Sequence, residues 1–309
     1  MKLSIVATLY QSAPHIAEFH ERASAAARQL VGEDYEIVLV NDGSPDNSLD
    51  LAVQLTKRDA HVVVVDLSRN FGHHKAMMTG LAHAQGERVF LLDSDLEEEP
   101  EWLLSFTKQI DTEASDVVYG VQKKRKGGWF ERWSGQWFYS FFKALTGLTL
   151  PANIVTARLM TRRYVDGLLL HREREILIAG LWYITGFDQR PQCVKKRNAS
   201  ETTYTFRRKI SVLVNAVTSF SNAPLVGIFY FGVSISILAL AYIVLLVMQW
   251  TFFANPLSGW TSVMASIWLI GGMVISFIGV VGIYLAKIFS ETKQRPYTIV
   301  RHIYAKQQD

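Results

Sequence analysis

Between Lys209 and Lys287 the chain carries no Asp, Glu, Lys, Arg or His. Few features limit a fold more. A soluble helix needs a polar face, and a run of this length without one has nowhere to lie in an ordinary core. Within it, Leu225 to Trp250 and Trp260 to Ala286 each exceed the roughly 20 apolar residues that cross a hydrocarbon layer at helical rise. Two membrane helices are expected, at 225–250 and 260–286. The link Thr251 to Gly259 has no Lys or Arg, whereas Arg207, Arg208, Lys209, Lys287, Lys293 and Arg295 flank the outer ends. Basic flanks stay on the cytoplasmic side, so a multi-pass protein with both termini cytoplasmic is expected. The apolar run after Met1-Lys2-Leu3 is too short for a signal peptide and leads into a strand pattern, which keeps the preceding region in the cytosol.

The net charge is +4, and most of it sits after the apolar run, where Lys287, Lys293, Arg295, Arg301 and Lys306 face only Glu291 and Asp309. The rest is nearly neutral. That argues against nucleic acid as a partner and for basic residues meeting anionic lipid. One cysteine, Cys193, excludes an internal disulfide and a cysteine-based zinc cluster.

From Lys2 to Tyr119, short β-rich runs alternate with stretches of helical length. The runs are Leu3 to Leu9, Tyr35 to Val40, His61 to Asp66, Arg88 to Leu92 and Asp116 to Tyr119. The alternation predicts repeated βαβ units and an α/β fold with a mostly parallel sheet. Ser12 and Pro14 precede one helix start, and Ser44-Pro45-Asp46 opens another with Pro at its first position. After Gly127-Gly128, the aromatic residues Trp129, Phe130, Trp133, Trp137, Phe138, Phe141 and Phe142 recur at spacings of three and four, just beyond the run Lys123 to Lys126. This fits an amphipathic helix over 129–146 at a membrane interface, with a core-facing helix as the other reading. The domains expected are a cytoplasmic catalytic region 1–205, a juxtamembrane helix 206–223, the two spans within 224–288, and a tail 289–309.

Asp93-Ser94-Asp95 stands where the run Val89-Phe90-Leu91-Leu92 stops. A strand buried on both faces delivers its last side chains to the carboxyl edge of a parallel sheet, where α/β proteins bind ligands. Two carboxylates one residue apart in a turn suit a hard divalent cation, which keeps part of its shell for a substrate phosphate. Val40-Asn41-Asp42-Gly43-Ser44 ends the second strand, with Gly43 free to turn tightly and Asp42 facing the same edge.

The order of these motifs resembles the nucleotide-sugar half of family 2 glycosyltransferases of the GT-A fold: a strand ending Asp42-Gly43-Ser44, then Leu67-Ser68-Arg69-Asn70-Phe71-Gly72, then Asp93-Ser94-Asp95. Arg158-Leu159-Met160, Thr203 to Arg207, and Thr218 to Leu225 leading into two spans are similar to the polyprenyl-phosphate branch, which includes dolichol-phosphate mannose synthases and bactoprenol glucosyltransferases. The resemblance implies that Tyr10, Asp42, Asp93 and Lys75 contact the nucleotide sugar. It implies that Asp95, with Asp93, holds Mg²⁺ or Mn²⁺ against the diphosphate, and that Arg158 lies near the phosphates as a catalytic residue. Glu98 falls where relatives often carry Asp and is the third catalytic candidate; a solvated helix start is its other reading. Arg207, Arg208 and Lys209 are candidates for the lipid phosphate or plain positive-inside anchors. His73, His74 and Lys75 follow Gly72 at a helix start, where a solvated or capping role competes with phosphate contact. The charge run His171 to Glu175 folds over the acceptor site or forms surface pairs. A homo-oligomer, with a tetramer among its forms, is also implied.

The chain departs from the commoner pattern at Thr8, Gln11, Asn41, Thr156 and Thr203, where relatives usually have Pro, Asn, Asp, an Asp or Ser, and Lys. Asn41 and Thr156 bear on the nucleobase contact and on any side-chain base. A polyprenyl phosphate with a second pKa of about 6 is already anionic at neutral pH and needs no base. The expected activity is therefore inverting transfer of a sugar from a nucleotide diphosphate to undecaprenyl phosphate at the cytoplasmic face of a bacterial inner membrane, for cell-surface glycan synthesis. Transfer to a hydroxyl of another lipid-linked acceptor, or a non-catalytic nucleotide-binding scaffold, are the alternatives.

Overall fold

Unbroken runs of Val, Ile and Leu make strands that are buried on both faces. β1 (Leu3–Leu9) and β2 (Tyr35–Asn41) are buried along their whole length, and β3 (Val62–Leu67) and β4 (Arg88–Leu91) nearly so. The computed structural model describes residues 1–122, 153–173, 178–196, 214, 217–218, 221–253 and 259–306. In it these four strands lie parallel in the order β4-β1-β2-β3. They are connected through α1 (Ile16–Val31), α2 (Ser48–Arg58) and α3 (His73–His83). Then α4 (Trp102–Glu113) leads to β5 (Val117–Gln122), and β6 (Ile154–Thr161) returns antiparallel between β5 and β4. After α5 (Arg162–Leu169) and α6 (Ile178–Ile184), β7 (Gln189–Val194) pairs parallel with β5. The chain continues through α7 (Ala223–Phe253) and α8 (Trp260–Thr292), and ends on β8 (Val300–Tyr304), antiparallel to β3. The whole is an eight-stranded, mostly parallel sheet in the order β7-β5-β6-β4-β1-β2-β3-β8.

Helices cover both faces, as a sheet of this kind requires. One apolar cluster joins Ile5, Leu39 and Phe90 of the sheet to Phe19 of α1, Ala52 of α2 and Phe106 of α4. On the other face Val6, Val40 and Leu91 meet Met77 and Leu81 of α3, Val165 of α5 and Leu181 of α6. The strand interiors therefore leave only their ends to carry chemistry.

The structure alters two readings of the sequence. The helix expected from Pro45 starts three residues later at Ser48, because Asp46 is used in the turn. Its Oδ1 accepts from Ser44 Oγ and from the Ser48 amide and hydroxyl, and its Oδ2 accepts from the Ala13 amide at 3.3 Å. The segment 289–309, read as a tail, supplies the edge strand β8. Unpaired N–H and C=O groups along the outer side of β3 are what it satisfies.

The chain divides into two units, one of Met1–Tyr139, Thr149–Thr203 and Arg295–Asp309, the other of Ser140–Leu148 and Tyr204–Gln294. In the second, Phe231 of α7 meets Phe277 of α8 edge-on at 6.0 Å, and Tyr284 Oη donates to the Ser221 carbonyl at 2.8 Å. Among the described residues Leu269–Thr292 is long and apolar enough to cross a membrane, and α7 is apolar over the shorter stretch Ala223–Ala239. The aromatic segment 129–146, Lys123 to Lys126, Arg174, Glu175, Thr203, and the lipid-phosphate candidates Arg207, Arg208 and Lys209 lie outside the described residues.

The amino edge of the sheet is stapled by Asp59, which accepts from His61 Nδ1 at 2.6 Å, the His61 amide at 2.9 Å and His20 Nε2 at 2.8 Å. Burial alone would raise this carboxyl, but the hydrogen bonds from His61 and His20 outweigh it and bring it to about 2. A depressed carboxylate contributes stability above its ordinary value, lost as pH falls from about 4 toward 2. Asp59→Asn is expected to lower stability at pH 7 by about 1 to 2 kcal/mol and to flatten the acid limb over that window. Thermal unfolding against pH measures both; a limb as steep as wild type would contradict the assignment.

Candidate active site at the carboxyl edge of the sheet

Ser94, the middle residue of the acidic triplet, is buried, and its hydroxyl bonds the Thr8 carbonyl at 2.8 Å and Ser12 Oγ at 3.0 Å. That pins the turn after β4 to the turn after β1. Its neighbours then point apart. Asp93 turns inward, where Oδ2 accepts from Thr156 Oγ1 at 2.9 Å and Oδ1 lies 3.2 Å from His73 Nε2. Asp95 is exposed, and its Oδ1 accepts from the Glu97 amide at 3.0 Å. Leu96, next along, sits in the left-handed region at φ 60 yet is buried, so its apolar anchor holds a backbone shape that would otherwise be strained.

Thr156 reaches Asp93 because β6 runs antiparallel to β4 with Arg158 opposite Leu91, which sets residues 156 and 93 on the same rung beyond the ladder. The Thr156 amide also donates to Glu98 Oε1 at 3.0 Å. Glu98 is wholly buried, 0% exposed, so the solvated reading of this residue is wrong. Lys196 Nζ lies 3.1 Å from Glu98 and 3.5 Å from Glu97. Burial, then the charge of Asp93, pushes the Glu98 carboxyl up to about 7, against the opposing pull of Lys196.

His73 opens α3, and its Nδ1 is 3.0 Å from Thr8 Oγ1 while Nε2 faces Asp93. Burial pulls the imidazole down, but Asp93, Asp42 and Glu98 outweigh it and hold it above its ordinary value. The converse holds Asp93 low: burial would raise it, and His73 and the Thr156 hydroxyl prevail.

The other candidates occupy different depths. Asp42 is buried with Oδ1 accepting from the Phe71 amide at 2.7 Å and Oδ2 from the Gly72 amide at 3.0 Å. It thus fixes the loop before α3. Burial still leaves its carboxyl above the ordinary value, although those two amides oppose the shift. Arg158 is 1% exposed, with its guanidinium over the Trp182 indole and near Glu98. Burial lowers it to about 9. Its guanidinium, expected near the phosphates, is enclosed by protein. Tyr10 is 50% exposed at the end of β1, and Lys75 is half-buried on the first turn of α3.

The donor set suits a hard cation. Asp93 Oδ1 is buried with no aligned hydrogen bond, and the Asp95 carboxylate faces outward from the same turn. Among the described residues no third His, Cys, Asp or Glu converges with them. An ion held there would complete its shell with water and substrate oxygens, which is the habit of Mg²⁺.

Asp93, Asp95, Glu98 and Thr156 are brought together as a site. Lys196 belongs to it without having been singled out, and His73, read as a phosphate-contact or capping residue at a helix start, faces Asp93. Lys196 was readable by parity: Val194 packs on the core and Lys196, two residues on, shares its face. The pairing of His73 with Asp93 carried no comparable signal, because it depends on the α3 start reaching across β1.

The profile of Glycosyl transferase family 2 matches residues 4–169. A protein of Mycobacterium tuberculosis described among glycosyltransferases is 52% identical to this chain over 98% of it and 89% of its own length. The uncharacterized glycosyltransferase YkcC of Bacillus subtilis is 32% identical over 98% of this chain and 94% of its own. The bactoprenol glucosyl transferase of Shigella phage SfV is 28% identical over 98% and 99%.

Breaking a buried pair by removing one charge is expected to cost more than removing both. At pH 8, Lys196→Met should lower stability by about 3 kcal/mol, and the double variant Glu98→Gln, Lys196→Met should recover most of it. Chemical denaturation of the three proteins measures this; a double variant no better than the single would mean that the pair is not coupled.

Proposed function

The chain belongs to glycosyl transferase family 2, and from that premise we propose that it moves a sugar, with inversion, from a nucleoside diphosphate to a polyprenyl phosphate at the cytoplasmic face of a bacterial membrane. The observation that carries the reading is the pair Asp93 and Asp95 at the carboxyl edge, one carboxylate half-buried and accepting from Thr156, the other open to solvent. The apolar helix Leu269–Thr292 and the bactoprenol named in relatives such as that of phage SfV support a lipid-borne acceptor.

On this reading Asp95, with Asp93 behind it, would hold Mg²⁺ or Mn²⁺. The ion supplies positive charge where the leaving diphosphate gains negative charge. The chain's own residues then set the geometry. Ser94 and Thr156 fix the Asp93 turn, so the outward carboxylate of Asp95 is presented without a search among rotamers. Lys196 and His73 offset the acidic side chains beneath, which keeps the pocket from repelling an anionic diphosphate.

The acceptor oxygen is the nucleophile. At neutral pH a phosphate monoester with a second pKa of about 6 is mostly doubly ionised, so its oxygen can attack the anomeric carbon with no proton to remove. Thr156 stands where an acidic residue would serve as base, and its hydroxyl is engaged as a donor to Asp93. A phosphate acceptor fits such a site better than an alcohol.

Asp95→Ala is expected to reduce nucleoside diphosphate release from a sugar-nucleotide panel with Mg²⁺ and undecaprenyl phosphate by at least about 100-fold. Membrane insertion should be unchanged. Mass spectrometry of the lipid product identifies the sugar. Wild-type turnover in the variant would refute the role of Asp95, and transfer to a lipid alcohol at the same rate as to the phosphate would refute the acceptor.

A further inference from the structure

The last strand of the chain reaches the edge at which the donor nucleotide is proposed to sit. In the pairing of β8 with β3, Asp66 stands opposite His302 and Leu67 opposite Val300, so the register slips and Arg301 is the extra residue of a bulge. Bulges re-aim side chains. Here the guanidinium turns onto β3, with Nη1 3.4 Å from Asp66 Oδ2 and Nη2 donating to the Ser68 carbonyl at 2.6 Å. The Ser68 amide in turn donates to the Ile299 carbonyl at 2.9 Å.

Asp66 is 1% exposed, and Arg301 is the cation that faces it among the described residues' ion pairs. Its other oxygen accepts from Asn41 Nδ2 at 2.8 Å, and Asn41 Oδ1 accepts from the Ser44 amide at 3.3 Å. The two turns also touch directly. Gly43 has φ +60, and a Cβ there would lie 2.4 Å from the Asn70 nitrogen. The turn 41–44 and the loop 68–70 are therefore one wall at the carboxyl ends of β2 and β3, and Arg301 clamps its root by two contacts. A lysine offers a point charge for Asp66 but no fork to span both groups.

We propose that Arg301, on the strand that follows both long helices, is a positioning residue of the nucleotide pocket: it holds Asp66 and Ser68 so that the turn Asn41 to Ser44 is correctly placed against the nucleoside of the donor. This rests on the nucleotide-sugar reading above. It places the end of the chain in the donor half of the site, and it predicts that damage to β8 impairs donor binding before it impairs the acceptor.

The test uses the full-length protein in detergent, with UDP and GDP as calorimetric probes and the sugar-nucleotide panel for turnover. R301A should weaken the nucleotide that wild type binds by about tenfold and raise the donor KM by a similar factor. The kcat and the KM for polyprenyl phosphate should stay near wild type. R301K should recover part of the affinity, and H302A, one residue along, should match wild type. Unchanged affinity in R301A, or a loss shared equally by donor and acceptor and not relieved in R301K, overturns the proposal. Should R301A fail to fold, R301K alone decides: about threefold weaker binding supports the clamp, and wild-type affinity overturns it. If wild type binds a nucleotide but transfers no sugar to polyprenyl phosphate, the transferase reading falls while the calorimetric comparison of Arg301 variants still stands. If it binds neither probe, both fall.

Discussion

The antiparallel pairing of β6 with β4 is the constraint on which the candidate site rests. In a sheet, a one-residue slip reverses the face of every side chain, so the register that puts Arg158 opposite Leu91 also decides that Thr156 meets Asp93. β4 is short, four residues, and it is flanked by β1 on its other side through Leu3 to Val6. The triplet at its end is then held from two directions, by Ser94 to the β1 turn and by Asp93 to β6. Neither contact alone would fix which carboxylate faces solvent.

The acidic content of this edge has to be balanced locally. Glu98 is out of bulk water and Asp93 largely so, and like charges close together at low dielectric are costly. The structure divides the problem. Asp93 is kept ionised by His73 and Thr156, while Glu98 is the group driven toward its neutral form, with Lys196 limiting how far. Arg158 beneath adds a buried positive charge whose solvation loss is offset by the Trp182 ring and the nearby tyrosines. The site therefore carries less net negative charge than its sequence suggests. That is a condition for admitting an anionic donor.

Much of the sheet was legible because its signal is local. Val62 to Leu67 and Leu3 to Leu9 could hardly be anything but strands, and each helix between them is bounded by polar turns. Asp93 and Asp95 were legible for the same reason, as residues that terminate such a strand. What could not be read is what depends on distant pairing. Glu98 was read as a catalytic candidate or a solvated helix start, and its partner Lys196, just beyond β7, lies some hundred residues away in sequence. That the backbone amides of Phe71 and Gly72, some thirty residues on, donate to Asp42 was likewise out of local view. β8 was taken for a tail because a five-residue strand after a long apolar run has no periodicity of its own to reveal a partner.

The position of β8 bears on the order in which the sheet is completed. An edge strand that is also the last element in sequence ties the fate of the sheet to everything that comes before it, since the β3 edge stays unpaired until the end of the chain arrives. Local strand formation up to β7 can proceed earlier, because its pairings need only residues already made. On the proposed reading, the donor wall built by Asn41, Asp66 and Ser68 would be completed only once both long helices have been placed. Completion of that wall would then follow both long helices without any dedicated regulatory element, simply because Arg301 is encoded after them.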